Sequence, residues 1–120
     1  MGMTVAQANE VLSSIIGDGV YVSLHTAHPE ETGAAEVAGG GYRRLEAAFG
    51  DPVEGAASSL AALEFELLPR VVVTHISLWD RSREGFLRWS SPLEAPTPVR
   101  DRGTFRIAAG DLRIQLRGNS

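Results

Sequence analysis

Hydrophobic and polar residues follow two different periods along this chain, and the change comes at Gly17. In "TVAQANEVLSSIIG", Val5, Ala8, Val11, Leu12, Ile15 and Ile16 recur at helical spacing. The spacing predicts a helix over residues 4–16, with all six residues on its apolar face. Thr4 and Gln7 form the two halves of a capping box that satisfies its first free amides. Gly17 is expected to stop the helix and Asp18 with Gly19 to turn the chain. From there to residue 117 the period is 2.

Val20, Val22 and Leu24 alternate with Tyr21, Ser23 and His25, which predicts a strand with one aliphatic face and one amphipathic face. A sheet with one buried face follows. Leu45, Ala47 and Phe49 give the next inward row, with Arg44 and Glu46 directed the other way, before Gly and Pro in "GDPVEGAASS" break the pattern. A strand is expected near Leu63 to Leu67. "VVVTHISLWD" is apolar on both faces and is therefore expected at the centre of the sheet. Phe86 to Trp89 and Val99 to Ile107 read as shorter strands. Leu112, Ile114 and Leu116 alternate with Arg113, Gln115 and Arg117 in a last, half-exposed one. Short strands divided by Gly- and Pro-bearing turns predict an antiparallel β-sandwich or small barrel with a short N-terminal helix, in a single domain spanning residues 1–120.

Composition narrows the function classes. Eleven basic residues against 15 acidic leave a formal charge of -4, with no electrostatic footprint for nucleic acid. The chain has no cysteine, so neither a disulfide framework nor a thiolate metal site is available. No apolar run approaches the ~20 residues of a membrane span, and no signal peptide is evident at the N-terminus. These features predict a protein made in a cytoplasm that binds neither nucleic acid nor membrane. All the basic residues are arginine, a residue favoured at protein interfaces because its planar fork pairs with carboxylates.

Candidate chemistry is sparse. His25 and His28 stand near Glu30 and Glu31, donor types that suit zinc. Residues three apart on a strand point to opposite faces, and Pro29 keeps His28 extended, so the stretch reads as a polar strand end entering a turn. His75 reads as a half-buried core histidine. Ser77, His75 and Asp80 can be assembled into a triad on paper, but there is no G-x-S-x-G elbow to expose the serine. Gly39, Gly40 and Gly41 precede a strand, the reverse of a phosphate loop, and read as a flexible lead-in. Trp79, Trp89, Tyr21, Tyr42 and Phe86 offer flat platforms for a sugar, although in a small sandwich such rings usually serve core or interface. No catalytic residue, metal site or cofactor is assigned.

Taken in order, "YVSLHTAHPEETGAAEVAGGGYRRLEAAFG", "VVVTHISLWD" and "TFRIAAGDLRIQL" resemble a family of small virion proteins from phages of actinobacteria and related prophages. Members of that family carry a short N-terminal helix, a strand ending in Leu-His-Thr and an acidic Gly-rich loop. A Tyr-Arg strand, a histidine followed by Trp-Asp, and a last strand after an Ala-Gly turn complete the pattern. The likeness runs from Tyr21 to Leu116, and departs from the pattern in the charged "DRSREGF" turn and the apolar "ELLPR" segment. It implies a structural, non-enzymatic virion component, either a minor capsid (decoration) protein or a tail fibre protein.

A fibre must span a long distance, and this chain holds neither heptads nor a repeated shaft. The expectation drawn here is a decoration protein that clamps the assembled shell, with the major capsid protein and copies of itself as partners, in a trimer or another homo-oligomer. The alternative is a tail fibre or tail-associated receptor-binding module. Glu36, Gly39, Gly40, Gly41, Tyr42, Arg43, Trp79 and Asp80 are the expected interface residues, with the N-terminal helix or the Ala34 to Gly41 loop as the contact.

Overall fold

The computed structural model describes residues 4–16, 20–30 and 32–115. The expected turn at Gly17 to Gly19, Glu31, and the expected strand residues Leu116 and Arg117 lie outside them. One helix, α1 (Val5–Ile16), precedes eight strands: β1 (Val20–His25), β2 (Leu45–Ala47), β3 (Ala56–Ser58), β4 (Leu63–Leu68), β5 (Val71–Trp79), β6 (Leu87–Val99), β7 (Gly103–Ile107) and β8 (Arg113–Gln115).

The capping box forms as expected. The Thr4 amide donates to Gln7 Oε1 at 2.8 Å and the Gln7 amide donates to Thr4 Oγ1 at 3.1 Å. The buried stripe is narrower than the sequence suggests: Ala8, Leu12 and Ile16 are buried, whereas Val5 and Val11 are exposed. The i, i+4 row is buried in the core and Ile15 packs against it half-buried, because the helix rests on the surface of the domain rather than between layers.

Strand pairing is antiparallel throughout. Four strands form one sheet in the order β2-β1-β5-β6, with β5 inside it as its two-sided apolar pattern predicts. Two ribbons, β3-β8 and β4-β7, complete the β architecture. The core joins Val22, Leu24 and Leu78 of the sheet to Phe65, Leu68, Phe105 and Ile114 of the ribbons and to Leu12 of the helix. Burying each of these large side chains contributes about 1.5–3 kcal/mol.

The structure corrects four expectations. β1 is buried on both faces, with Ser23 and His25 as inaccessible as Val22. Its outer face is covered by the segment after His25, which turns back so that His25 bridges Glu36 and the Val37 amide donates to the Leu24 carbonyl. β6 runs 13 residues instead of stopping near Trp89. It contains Pro92, Pro96 and Pro98, which it tolerates as an edge strand with a register shift opposite Val73 and His75. Val99 to Ile107 is not one strand: Val99 ends β6, the chain turns with the Gly103 amide donating to the Arg100 carbonyl, and β7 returns. Finally, "GAASS" contributes β3. Its small residues pack beneath α1, where Asn9 Oδ1 accepts the Gly55 amide at 2.8 Å.

Candidate functional site

The outer face of β1 and β5 gathers the polar groups that a small β-domain would ordinarily expose. Registered pairs Tyr21–Trp79, Ser23–Ser77 and His25–His75 place these side chains on one face, opposite the row containing Val22 and Leu24. His25 Nδ1 donates to the Ala34 carbonyl at 2.8 Å, since a carbonyl can only accept. That fixes Nε2 of the neutral ring as the acceptor for the Ser23 hydroxyl at 2.7 Å, and Ser23 Oγ in turn accepts Trp79 Nε1–H at 2.7 Å. The chain of donors is complete only while His25 is uncharged.

Beside this chain lies an ion pair. Glu36 accepts from Arg44 at both oxygens, Nη2 to Oε1 at 2.9 Å and Nε to Oε2 at 3.0 Å, in the bidentate arrangement that guanidinium geometry favours. The Tyr42 hydroxyl donates to Glu36 Oε2 at 2.6 Å and accepts the Leu24 amide at 3.2 Å. The Arg44 guanidinium lies 3.8 Å above the Trp79 ring, and its side chain is only 7% exposed.

Electrostatics follow this geometry. Burial pushes the Glu36 carboxyl up, but the Arg44 and Tyr42 hydrogen bonds outweigh it and leave the group below its ordinary value. Burial and then the hydrogen bond to Glu36 push Tyr42 far up. Burial lowers His25 despite the opposing effects of the Ala34 carbonyl and the Glu36 carboxylate. All three groups are thereby held in the protonation state that the hydrogen bonds require.

The network extends to the loop between β5 and β6. Arg44 Nη1 donates to the Arg81 carbonyl at 3.1 Å and the Glu84 carbonyl at 2.7 Å. Asp80 Oδ1 accepts the Phe86 amide at 2.8 Å, and the Asp80 amide donates to the Phe86 carbonyl at 3.3 Å. The loop is tied at both ends, yet Phe86 at its edge is 75% exposed. Gly33 is required by the same packing. It has φ +77°, and a Cβ there would run into the Trp79 ring.

Of the residues singled out from sequence, Glu36, Tyr42 and Trp79 come together around Arg44, and Asp80 holds the loop whose carbonyls Arg44 reaches. Trp79 is buried, so its ring is not presented to a partner. Arg43 is exposed and lines the same hollow beside Glu36 and Tyr42, but the ion-pair partner of Glu36 is Arg44. Gly39, Gly40 and Gly41 lie apart, and the triple glycine is not the loose lead-in expected. The Gly41 amide donates to the Leu67 carbonyl at 2.7 Å, and a Cβ on Gly40 would sit 2.6 Å from that same oxygen. Sequence reasoning assigned no role to Arg44, Ser23 or His25. The signal was alternation, since the period that turns Leu45 inward places Arg44 on the opposite face.

The three histidines converge, contrary to the opposite-face argument, because the chain bends after His25. His28 packs edge-on to His75 with ring centroids 5.4 Å apart. Among the described residues no group of three metal-ligand side chains forms. The paper triad does not assemble: His75 Nδ1 pairs with Thr74 Oγ1, Ser77 Oγ has no protein hydrogen bond, and Asp80 holds the Phe86 amide. No helix among the described residues is long and apolar enough to cross a membrane.

Residues 14–115 match the family described as Podophage GP4 fiber I protein gp80. The match covers every strand and the last turn of the helix. No curated protein matches the chain.

Proposed function

The chain belongs to the podophage GP4 fibre I protein (gp80) family of phage structural proteins, and on that premise we propose that it serves in the tail fibre apparatus as a rigid binding domain without catalysis. The observation that carries this reading is the family match itself, which extends across the whole β-domain. It favours the fibre over the capsid decoration role expected from the lack of heptads.

The geometry supports action by binding. His25, Glu36, Tyr42 and Arg44 are engaged in holding the segment after β1 and the 80–86 loop, while Ser77, with no protein hydrogen bond, and His75 do not pair with each other. The molecule measures 44 × 27 × 26 Å, so a longer fibre would be built from further copies or further chains.

Cryo-electron microscopy of the intact virion tests the reading. Density fitting this domain along the tail or its fibres is the expected result. Density at symmetry-related positions on the shell, with none on the tail, would overturn it and restore the decoration role.

A further inference from the structure

We propose that successive copies of this chain dock head to tail, with the Phe86 loop of one copy seated in the hollow between Val53 and Leu60 of the next. Among the described residues these are the three most exposed large hydrophobic side chains, at 75%, 66% and 64%. They fall into two sites on different elements: the loop between β5 and β6, and the turns flanking β3.

The loop has the features of an anchor. Phe86 is presented by a backbone that Arg44 and Asp80 hold through the hydrogen bonds described above, so little ordering would be lost on docking. Arg81 and Arg83 accompany it, exposed and in no ion pair among the described residues. Aromatic and arginine side chains in a fixed frame are the types that dominate binding energy at protein interfaces.

The hollow has the complementary features. It is a shallow, open hollow of about 550 Å³, lined by the buried Ala56 and Ala57 and the exposed Val53 and Leu60, with Asp51 and Glu54 beside them. It is also rigid. Val53 and Ala56 exchange both backbone hydrogen bonds at 2.8 and 3.0 Å across a two-residue turn, and Asn9 fastens that turn to the helix. Of the two acidic residues on the loop, Asp80 lies 3.9 Å from Arg88 and has its charge met within the chain, which leaves Glu84 against Arg81 and Arg83; the hollow sets Arg113 against Asp51 and Glu54, so the balance of charge stays complementary.

Charge also selects the geometry. A symmetric loop-to-loop dimer would set Arg81 and Arg83 of both copies against each other and leave both hollows unused. Loop into hollow pairs opposite signs. Because the two surfaces differ, each bound pair still offers one free site of each kind, and the contact propagates as a ring or a filament.

Sedimentation velocity on the purified chain tests this independently of where the protein sits in the virion. The wild type is expected to form species that grow with concentration and shrink with added salt. Phe86→Asp and Leu60→Asp should each weaken association at least about tenfold. Both positions are on the surface, and an unchanged circular dichroism spectrum checks folding. The decisive arm is the mixture. Phe86→Asp retains a good hollow and Leu60→Asp retains a good loop, so together they should form a dimer that grows no further. A wild type that stays monomeric at its highest soluble concentration would overturn the proposal. So would two variants that associate like wild type, or a mixture of folded variants that remains monomeric.

Discussion

Arg44→Met removes the guanidinium at the centre of the network while keeping most of the aliphatic stem. Four hydrogen bonds go with it, two to Glu36 and one each to the Arg81 and Glu84 carbonyls. The two loop residues are exposed, so water replaces the arginine there at small cost. The loss therefore concentrates at Glu36, left with only the Tyr42 hydroxyl. Removing one partner of a buried ion pair costs about 3–5 kcal/mol. The Glu36 side chain is 24% exposed, which places the expected loss near the lower end, about 3 kcal/mol. At about 4 °C per kcal/mol for a domain of this size, the melting temperature should fall by about 12 °C. Urea unfolding of the wild type, Arg44→Met, Glu36→Gln and the double variant measures both the loss and the coupling, expected at about 2 kcal/mol. A loss under about 1 kcal/mol with additive single effects is what an exposed surface pair gives, and would refute the reasoning.

Three further outcomes follow from the same structure. Folding holds His25 below its ordinary value of 6.5 and Glu36 below 4.5, so the unfolded chain binds more protons in acid. Their stabilisation is complete above pH 6.5 and is lost first as His25 and then as Glu36 is protonated; urea midpoints that stay flat from neutral pH to below 4.5 would contradict this. Gly33→Ala forces a Cβ against Trp79 and should cost about 1–3 kcal/mol or more, while Gly39→Ala, whose Cβ meets nothing, should cost less than Gly33→Ala in the same thermal melt. Thr4→Ala breaks the capping box and should lower stability by about 1 kcal/mol, with a matching loss of helical ellipticity.

Hydrophobic period located most of the fold. Helix α1, the central place of β5 and the inward row Val20, Val22 and Leu24 all follow from spacing, because burial on one side leaves a direct trace in the sequence. β6 left a trace only in its first residues, Leu87 to Trp89, and β3 left none. Three prolines conceal β6, since the sequence alone does not say which strand lies at an edge where proline is harmless. Small residues conceal β3, because alanine carries little apolar signal yet is what close packing under α1 needs. The candidate site was half legible. Glu36, Tyr42, Trp79 and Asp80 stood out as residue types, but the arginine that pairs with Glu36 and covers Trp79 depends on the turn after His25 and on a contact between residues 44 and 84 that no local pattern encodes. Arg43 and Arg44 are adjacent and chemically alike. Only the side of the chain each occupies on the way into β2 separates an exposed arginine from the one that ties the network together.

The Arg44 network holds the 80–86 loop in one conformation with Phe86 outward. Amide hydrogen exchange at Phe86, read by NMR in the wild type and in Arg44→Met, tests it most directly. The Phe86 amide, bonded to Asp80 Oδ1 at 2.8 Å, should be protected well above the random-coil rate in the wild type and lose much of that protection in the variant. Exchange at the random-coil rate in the wild-type protein, or equal protection in both, would contradict the account.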